Sequence, residues 1–316
     1  MFEGFANVWT PVIETRRIGR DPVRLEIAGE GIVLFRGEGG RIGALVDRCP
    51  HRGVKLSLGK VGADGSLECP FHGWRFAPDG SNRRVPLNPE AKRDQLGATA
   101  LPTRILGDMV WIHTAPGRVA QAEPVAPEGL VASGLSRTYV SRLWDCHWTR
   151  AMENMLDSPH LPFVHRTTIG KPLVRRMSPQ SSMDVVWEDT PWGGRASAHL
   201  DGVDGGGVLE FFRPNMMALT IPIPNRHFRI HALVVPAGAG KTQLTVVASR
   251  GFLRSGIFDP LFRTSSAKIA DEDKAVLESS PPGEVPPAAQ ERSVRTDRAT
   301  LQFRKYYYDE LRGSAA

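Results

Sequence analysis

Short runs dominated by apolar and β-branched residues, VRLEI at 23–27, GIVLFR at 31–36 and IGALVD at 42–47, recur through the first 115 residues. Glu38-Gly39-Gly40, Asp64-Gly65 and Asp79-Gly80 separate runs of this kind and carry the backbone freedom that chain reversal needs. This spacing predicts a small antiparallel β domain over residues 1–115, closing with the strand-like MVWIHT at 109–114. Residues 116–136 are rich in Ala, Pro and Gly, keep no amphipathic period, and read as a linker. A second domain is expected over 137–316. It opens with a helical pattern at about 145–157, followed by strand candidates at 181–189, around 208–213, and at 216–223, 227–235 and 243–249. Residues 259–278 read as helix, 279–287 as a Pro-rich loop and about 294–312 as a last amphipathic helix. Strands bracketed by helices without βαβ alternation predict an α+β fold with an antiparallel sheet, and no internal repeat is present.

The bulk numbers narrow this picture only a little. With 316 residues, 41% of them hydrophobic and 23% charged, the chain has ordinary globular composition and enough length for a real core. No apolar run reaches the length of a membrane span, and the N-terminal residues lack a secretory pattern, so a cytoplasmic protein is expected. The net charge of +6 raises the question of nucleic acid, but no basic run exceeds a pair and a binding footprint needs clustered charge. Neither nucleic acid nor membrane is expected as a partner. A basic surface also suits an acidic electron-donor protein through steering. Three cysteines cannot build a disulfide framework.

Two of those cysteines carry chemistry. Cys49-Pro50-His51-Arg52-Gly53 is followed, after a hairpin-sized gap, by Cys69-Pro70-Phe71-His72-Gly73-Trp74. Two thiolates and two neutral imidazoles suit a [2Fe–2S] cluster in which histidines replace two cysteines on one iron, which raises its potential above that of an all-cysteine cluster. Gly53 and Gly73 permit close backbone approach and the prolines stiffen each loop. Structural zinc is the competing reading, but zinc sites pair Cys with Cys and His with His, whereas each loop here carries one of each.

A second constellation spans 153–165, Glu-Asn-Met-Leu-Asp-Ser-Pro-His-Leu-Pro-Phe-Val-His. Asn154, Asp157 and His160 are spaced to descend one helical face, whereas His165 points away on a continuous helix. Pro159 and Pro162 offer a break, so a helix that unwinds after Asp157 brings both histidines toward one ion. Two histidines and one carboxylate make the facial triad of non-heme Fe(II) oxygenases. Asp273, at the start of a predicted helix, is the preferred carboxylate, and Asp271 is the alternative.

CPHRG and CPFHGW resemble the Rieske motif, and the 154–165 segment resembles the iron-binding motif of Rieske non-heme iron oxygenases. The resemblance implies that Cys49 and Cys69 hold one cluster iron, that His51 and His72 hold the other, and that His160 and His165 ligate a mononuclear Fe(II). It carries Asp273 over less sharply, as an acidic cluster beside a helix. In the family, the residue matching Asp157 bridges an iron-ligand histidine to a Rieske histidine of the neighbouring subunit, which implies a homotrimer. The Asn154–Asp157 spacing resembles the vanillate and dicamba O-demethylase type and the plant chlorophyll-breakdown oxygenases, whose reactions are monooxygenations. Aromatic-ring dioxygenases have one residue more. The resemblance also implies a helix-grip catalytic domain, an antiparallel sheet wrapping a long helix, and O2 as cosubstrate with a small organic substrate.

Two further features remove alternatives. Val234–Thr242 imitates a phosphate loop, but Val235 stands where that loop needs Gly and a strand follows where it needs a helix, so a hairpin turn is expected. No G-x-G-x-x-G occurs, so NAD(P)H is expected to act only through a separate reductase or ferredoxin. His113, His147, His199, His227 and His231 read as strand or surface histidines, Cys146 as a small buried hydrophobe, and Trp148, Met155 and Phe163, which neighbour the 154–165 segment, as core packing residues in preference to pocket-shaping ones. The rival from another class, a Rieske electron carrier, leaves the 154–165 constellation without a role. A fold that lost turnover conflicts with the complete ligand sets.

Overall fold

The computed structural model describes residues 1–117, 122–281 and 283–312. Residues 118–121 of the expected linker, 282 of the Pro-rich loop and 313–316 of the second domain lie outside the described residues. The chain forms two compact units, one over Met1–Pro124 and one over Val125–Gly313.

The described residues of the first unit form ten strands: β1 (Trp9–Glu14), β2 (Val23–Ile27), β3 (Glu30–Arg36), β4 (Ile42–Val46), β5 (Lys60–Val61), β6 (Leu67–Glu68), β7 (Arg75–Phe76), β8 (Asn82–Arg84), β9 (Thr103–Leu106) and β10 (Met109–His113). They make three antiparallel sheets, ordered β1-β10-β9, β2-β3-β4 and β5-β6-β7-β8. The core gathers Val33 and Phe35 of β3, Leu45 of β4, Leu56, Leu67 and Phe76, with Cys49 and Cys69 among them. Each large side chain buried there contributes roughly 1.5–3 kcal/mol.

The second unit contains α1 (Glu128–Val131), β11 (Ser136–Trp144), α2 (Trp148–Leu156), α3 (Leu161–Val164) and α4 (Lys171–Arg176). There follow β12 (Met183–Thr190), β13 (Gly193–Leu200), β14 (Val203–Phe212), β15 (Met216–Thr220), β16 (Phe228–Pro236), β17 (Thr242–Arg250), α5 (Asp259–Leu277) and α6 (Arg298–Tyr306). All seven strands form one antiparallel sheet in the order β11-β17-β16-β15-β14-β13-β12, and the long helix α5 packs on β11 and β17. The fold is α+β, as the pattern of elements predicts. The phosphate-loop imitation is the β16–β17 turn, closed by the Ala237 N–H donating to Lys241 O at 2.9 Å.

Several boundaries differ from expectation for identifiable reasons. The structure adds β1, the short strands β5, β6, β7 and β8, and β9, β11 and β13 to the expected strands. In β13, GGRASAHL has low intrinsic strand preference and is held by partners on both sides, β12 and β14. The stretch 116–136 contains α1 and the first residue of β11. Helix α2 begins only at Trp148, where His147 Nδ1 accepts from the Thr149 N–H, and it stops at Leu156. Asp157 is extended (ψ 119°), and Pro159 denies a continuing helix an N–H. Asn154, Asp157 and His160 therefore do not lie on one continuous helical face: Asp157 follows the helix end and His160 precedes α3. The last helix starts at Arg298, after a turn in which Asp297 accepts from the Val294 N–H at 2.8 Å, and ends in a π-turn over Tyr307–Leu311.

Candidate metal centres

In the first unit the two Cys-Pro segments fold into turns with the same backbone bonding. Cys49 N–H donates to Val54 O at 2.8 Å and Gly53 N–H to Cys49 O at 2.9 Å. Cys69 N–H donates to Trp74 O at 2.8 Å and Gly73 N–H to Cys69 O at 3.1 Å. Each turn closes only because its glycine takes a left-handed conformation, φ 72° at Gly53 and 69° at Gly73. The cysteines are buried and the histidines exposed. The His51 and His72 rings lie 4.7 Å apart, and Trp74 stacks on His51 at 4.6 Å with ring planes 2° apart. Burial, followed by the adjacent Cys69 thiol, pushes Cys49 up to about 11, so metal binding there releases a proton.

The donor set fits a cluster better than a single ion. Among the described residues, the one group of three or more candidate ligand atoms within 4.8 Å of one another is His160, His165 and Asp273. Cys49 and Cys69 lie against each other, and the His51 and His72 rings form a second close pair, so each loop places its cysteine with the other's cysteine and its histidine with the other's histidine, the pairing in which two thiolates hold one iron and two imidazoles the other.

The second centre draws on three segments of the C-terminal unit. His160 stands just ahead of α3, His165 just after it, and Asp273 in the last third of α5 rather than at a helix start, because the helix already begins at Asp259. Asp273 Oδ1 is 3.0 Å from His165 Nε2 and 3.7 Å from His160 Nε2. That oxygen is buried, yet neither ring nitrogen reaches it with hydrogen-bond geometry. An orphaned buried carboxylate oxygen beside two imidazole edges fits a divalent iron, whose binding would satisfy all three groups. Asp271 points elsewhere and pairs with Arg142 at 2.7 Å. Gly170 closes the loop behind α3, where a Cβ would lie 1.9 Å from Leu161 O.

Each imidazole has a carboxylate on its far side. Asp157 Oδ2 lies 3.2 Å from His160 Nδ1 and accepts the His160 N–H at 3.0 Å. Glu272 Oε2 lies 2.8 Å from His165 Nδ1. Burial alone would lower the His165 pKa, but Asp273 and then Glu272 outweigh it and hold it above the ordinary value. Sequence reasoning missed Glu272, although it sits inside the acidic run that supplied Asp273.

These groups border a cavity of about 270 Å³. Its floor is one face of the sheet: Ala196, Leu209, Leu219 and Ile230 form a registered row, and Met217, Ala232 and Val246 the next. Gly205 and Gly207 of β14 lie on the same face and leave the cavity its room. Asn154 reaches the cavity with a buried Nδ2 that has no partner. Met155 lines it too, whereas Trp148 packs on Phe303 and Tyr307, and Phe163 is exposed. Of the other histidines, His113 packs at a tilt against Trp9 and His231 is fully buried in β16 against Ser249. His147 caps α2, His199 lies in β13, and His227 bonds Ser249 just ahead of β16. Cys146 is buried.

A two-loop Cys/His turn pair and a two-histidine, one-carboxylate centre on an α+β scaffold define the class. Residues 8–102 match the Rieske [2Fe–2S] domain, and residues 144–309 match the vanillate O-demethylase oxygenase C-terminal domain. The chain belongs to the Rieske oxygenase family. Chlorophyllide a oxygenase of Chlamydomonas reinhardtii is 34% identical over 173 residues, covering 54% of this chain and 26% of that protein. Phthalate 4,5-dioxygenase oxygenase subunit of Pseudomonas putida is 27% identical over 246 residues, covering 72% of this chain and 56% of its own. The chain thus spans about a quarter to just over half the length of these curated relatives. Dicamba monooxygenase bound to 3,6-dichlorosalicylic acid shares the fold, with a TM-score of 0.82 at 20% identity and 98% of each chain covered.

Proposed function

We propose that the chain is the terminal component of a monooxygenase acting in the cytoplasm on a small, ring-containing organic molecule. It hydroxylates a C–H bond or removes an O- or N-methyl group, with O2 as cosubstrate and electrons from NAD(P)H through a separate reductase or ferredoxin. The observation that carries this reading is the meeting of His160, His165 and Asp273 at the wall of an apolar cavity. When bound, a Rieske cluster supplies single electrons and a ferrous ion the open positions for O2 chemistry. Cys49, Cys69, His51 and His72 would hold the first, and His160, His165 and Asp273 the second.

The chain's own residues set the conditions for reaction. Leu209, Met217, Ile230 and Val246 hold the substrate's apolar body and exclude water from the reacting end. The unpartnered Asn154 amide offers a donor to a polar group of the substrate. Asp157 orients His160 and, in a homotrimer, bridges to a cluster histidine of the next subunit. A head-to-tail contact of that kind closes into a ring. Light scattering of the active protein tests the assembly, and a fully active monomer would refute it. Asp157→Asn is expected to keep both metals yet slow the electron supply in single-turnover kinetics.

The reaction type is tested with labelled O2 and a surrogate reductase. Monooxygenation leaves one labelled atom in the product, or in formaldehyde when a methyl group is lost. Cis-dihydroxylation is the second reading, favoured by relatives such as the 3-chlorobenzoate-3,4-dioxygenase oxygenase subunit of Comamonas testosteroni. Two adjacent labelled hydroxyls would establish it instead.

A further inference from the structure

We propose that Glu272 is a positioning residue for His165, fixing its imidazole as the Nδ1–H tautomer so that Nε2 alone is left to face the metal beside Asp273. The proposal rests on the reading of His160, His165 and Asp273 as an iron centre. An ionised carboxylate only accepts hydrogen bonds, so at 2.8 Å from Glu272 Oε2 the Nδ1 atom must be the donor. The His165 side chain is 1% exposed, so its ring cannot turn Nδ1 out to bulk water and is held by the groups packed around it. On the opposite edge of the ring, Nε2 lies 3.0 Å from Asp273 Oδ1 without donating to it, which is the arrangement of two groups awaiting a common ion.

Glu272 is itself held from behind. Thr168 Oγ1 donates to the same Oε2 at 2.7 Å, and Lys268 Nζ stands 3.9 Å from the other oxygen. Thr168 follows His165 by three residues, so loop and helix are tied by one carboxylate. Adjacent residues of α5 thus serve the two edges of one ring, Glu272 at Nδ1 and Asp273 at Nε2. His160 has a local counterpart in Asp157, three residues before it, whereas Glu272 reaches His165 from across the unit. A carboxylate in this position fixes ring orientation and raises ligand basicity, and its loss commonly lowers metal affinity about 10–100-fold.

The test uses the full chain with its cluster in place, stripped of mononuclear iron and titrated anaerobically with Fe(II). Bound iron and the EPR spectrum of the nitric oxide adduct are the readouts. Glu272→Ala, which suits a helix interior, is expected to weaken Fe(II) binding about 10–100-fold and to change the rhombicity of the nitrosyl signal. Glu272→Gln keeps an acceptor for the Nδ1–H and is expected to restore much of both. Wild-type affinity with an unchanged nitrosyl spectrum in Glu272→Ala overturns the proposal. Should that variant fail to hold its cluster, Glu272→Leu and Thr168→Val carry the test: each is expected to weaken Fe(II) binding, the first more than the second, and wild-type affinity with an unchanged nitrosyl spectrum in both overturns it. His165→Ala separates the two failures: if it binds Fe(II) like wild type, the iron-centre reading falls and the proposal with it. If it loses iron while Glu272→Ala does not, only the proposal falls.

Discussion

The turns at Cys49–Val54 and Cys69–Trp74 are shaped by their own backbones, whereas the centre at His160, His165 and Asp273 is shaped by side chains from three segments. In the turns, two main-chain hydrogen bonds and one left-handed glycine fix where the cysteine and histidine stand. In the second centre the main chain delivers only a broken helix and a distant one. The rings are then aimed by Asp157 and Glu272, and α2 is anchored from outside by Arg304, which pairs with Glu153 and Glu291. A metal site written in backbone is compact in sequence. One written in side chains is spread over more than a hundred residues and depends on the packing of the whole unit.

The sharpest way to break this comparison is to remove a ligand from either side. Cys69→Ser or His72→Ala is expected to abolish the visible absorption and reduced-state EPR signal of the cluster. His160→Ala, His165→Ala or Asp273→Ala is expected to keep that signal, lose one iron per chain by metal analysis and lose all turnover. Asp271→Ala should keep both metals, and iron loss in that variant alone would move the ligand by two residues.

Arg304→Ala comes next. It leaves Glu153 buried without its main partner, where burial already raises the carboxyl's pKa. Stripping one side of such a pair costs about 3–5 kcal/mol, so a clear fall in thermal midpoint is expected by circular dichroism. Prior loss of mononuclear iron would mark α2 as the element released, and an unchanged melt would show the anchor to be idle. On the backbone side, Gly73→Ala forces an L side chain into φ 69°, costing roughly 1–2 kcal/mol. Faster bleaching of the cluster, with the second iron retained, is the expected outcome. The smallest effect is Gly207→Val, whose Cβ would meet nothing closer than Thr220 O at 3.4 Å. Stability should move by about 1 kcal/mol or less while KM shifts for the largest substrates accepted.

The same contrast explains what could be read from the chain before its fold was known. The cluster turns were legible because a cysteine, a proline, a histidine and a glycine must follow one another closely to make them. His160 and His165 were legible because prolines mark where the helix must break. Asp273 came through less sharply because only tertiary packing, with Arg142 claiming Asp271, tells the two carboxylates apart. Glu272 and the cavity floor were silent. No local pattern states which carboxylate will meet a ring more than a hundred residues away, and GGRASAHL becomes a strand only between its neighbours.

The groups expected to hold iron come from helices and their ends, while the cavity floor comes from alternate positions of the strands that face them. Ala196, Ala198, Gly205 and Gly207 line the cavity from strands that carry none of the ligands or their supporting carboxylates. On the proposed function, the architecture separates reactivity from selectivity, and a lineage or an engineer can retune one while inheriting the other. Diversification by single substitutions on a sheet, with the reactive apparatus carried along unaltered, is the evolutionary economy that this division makes available.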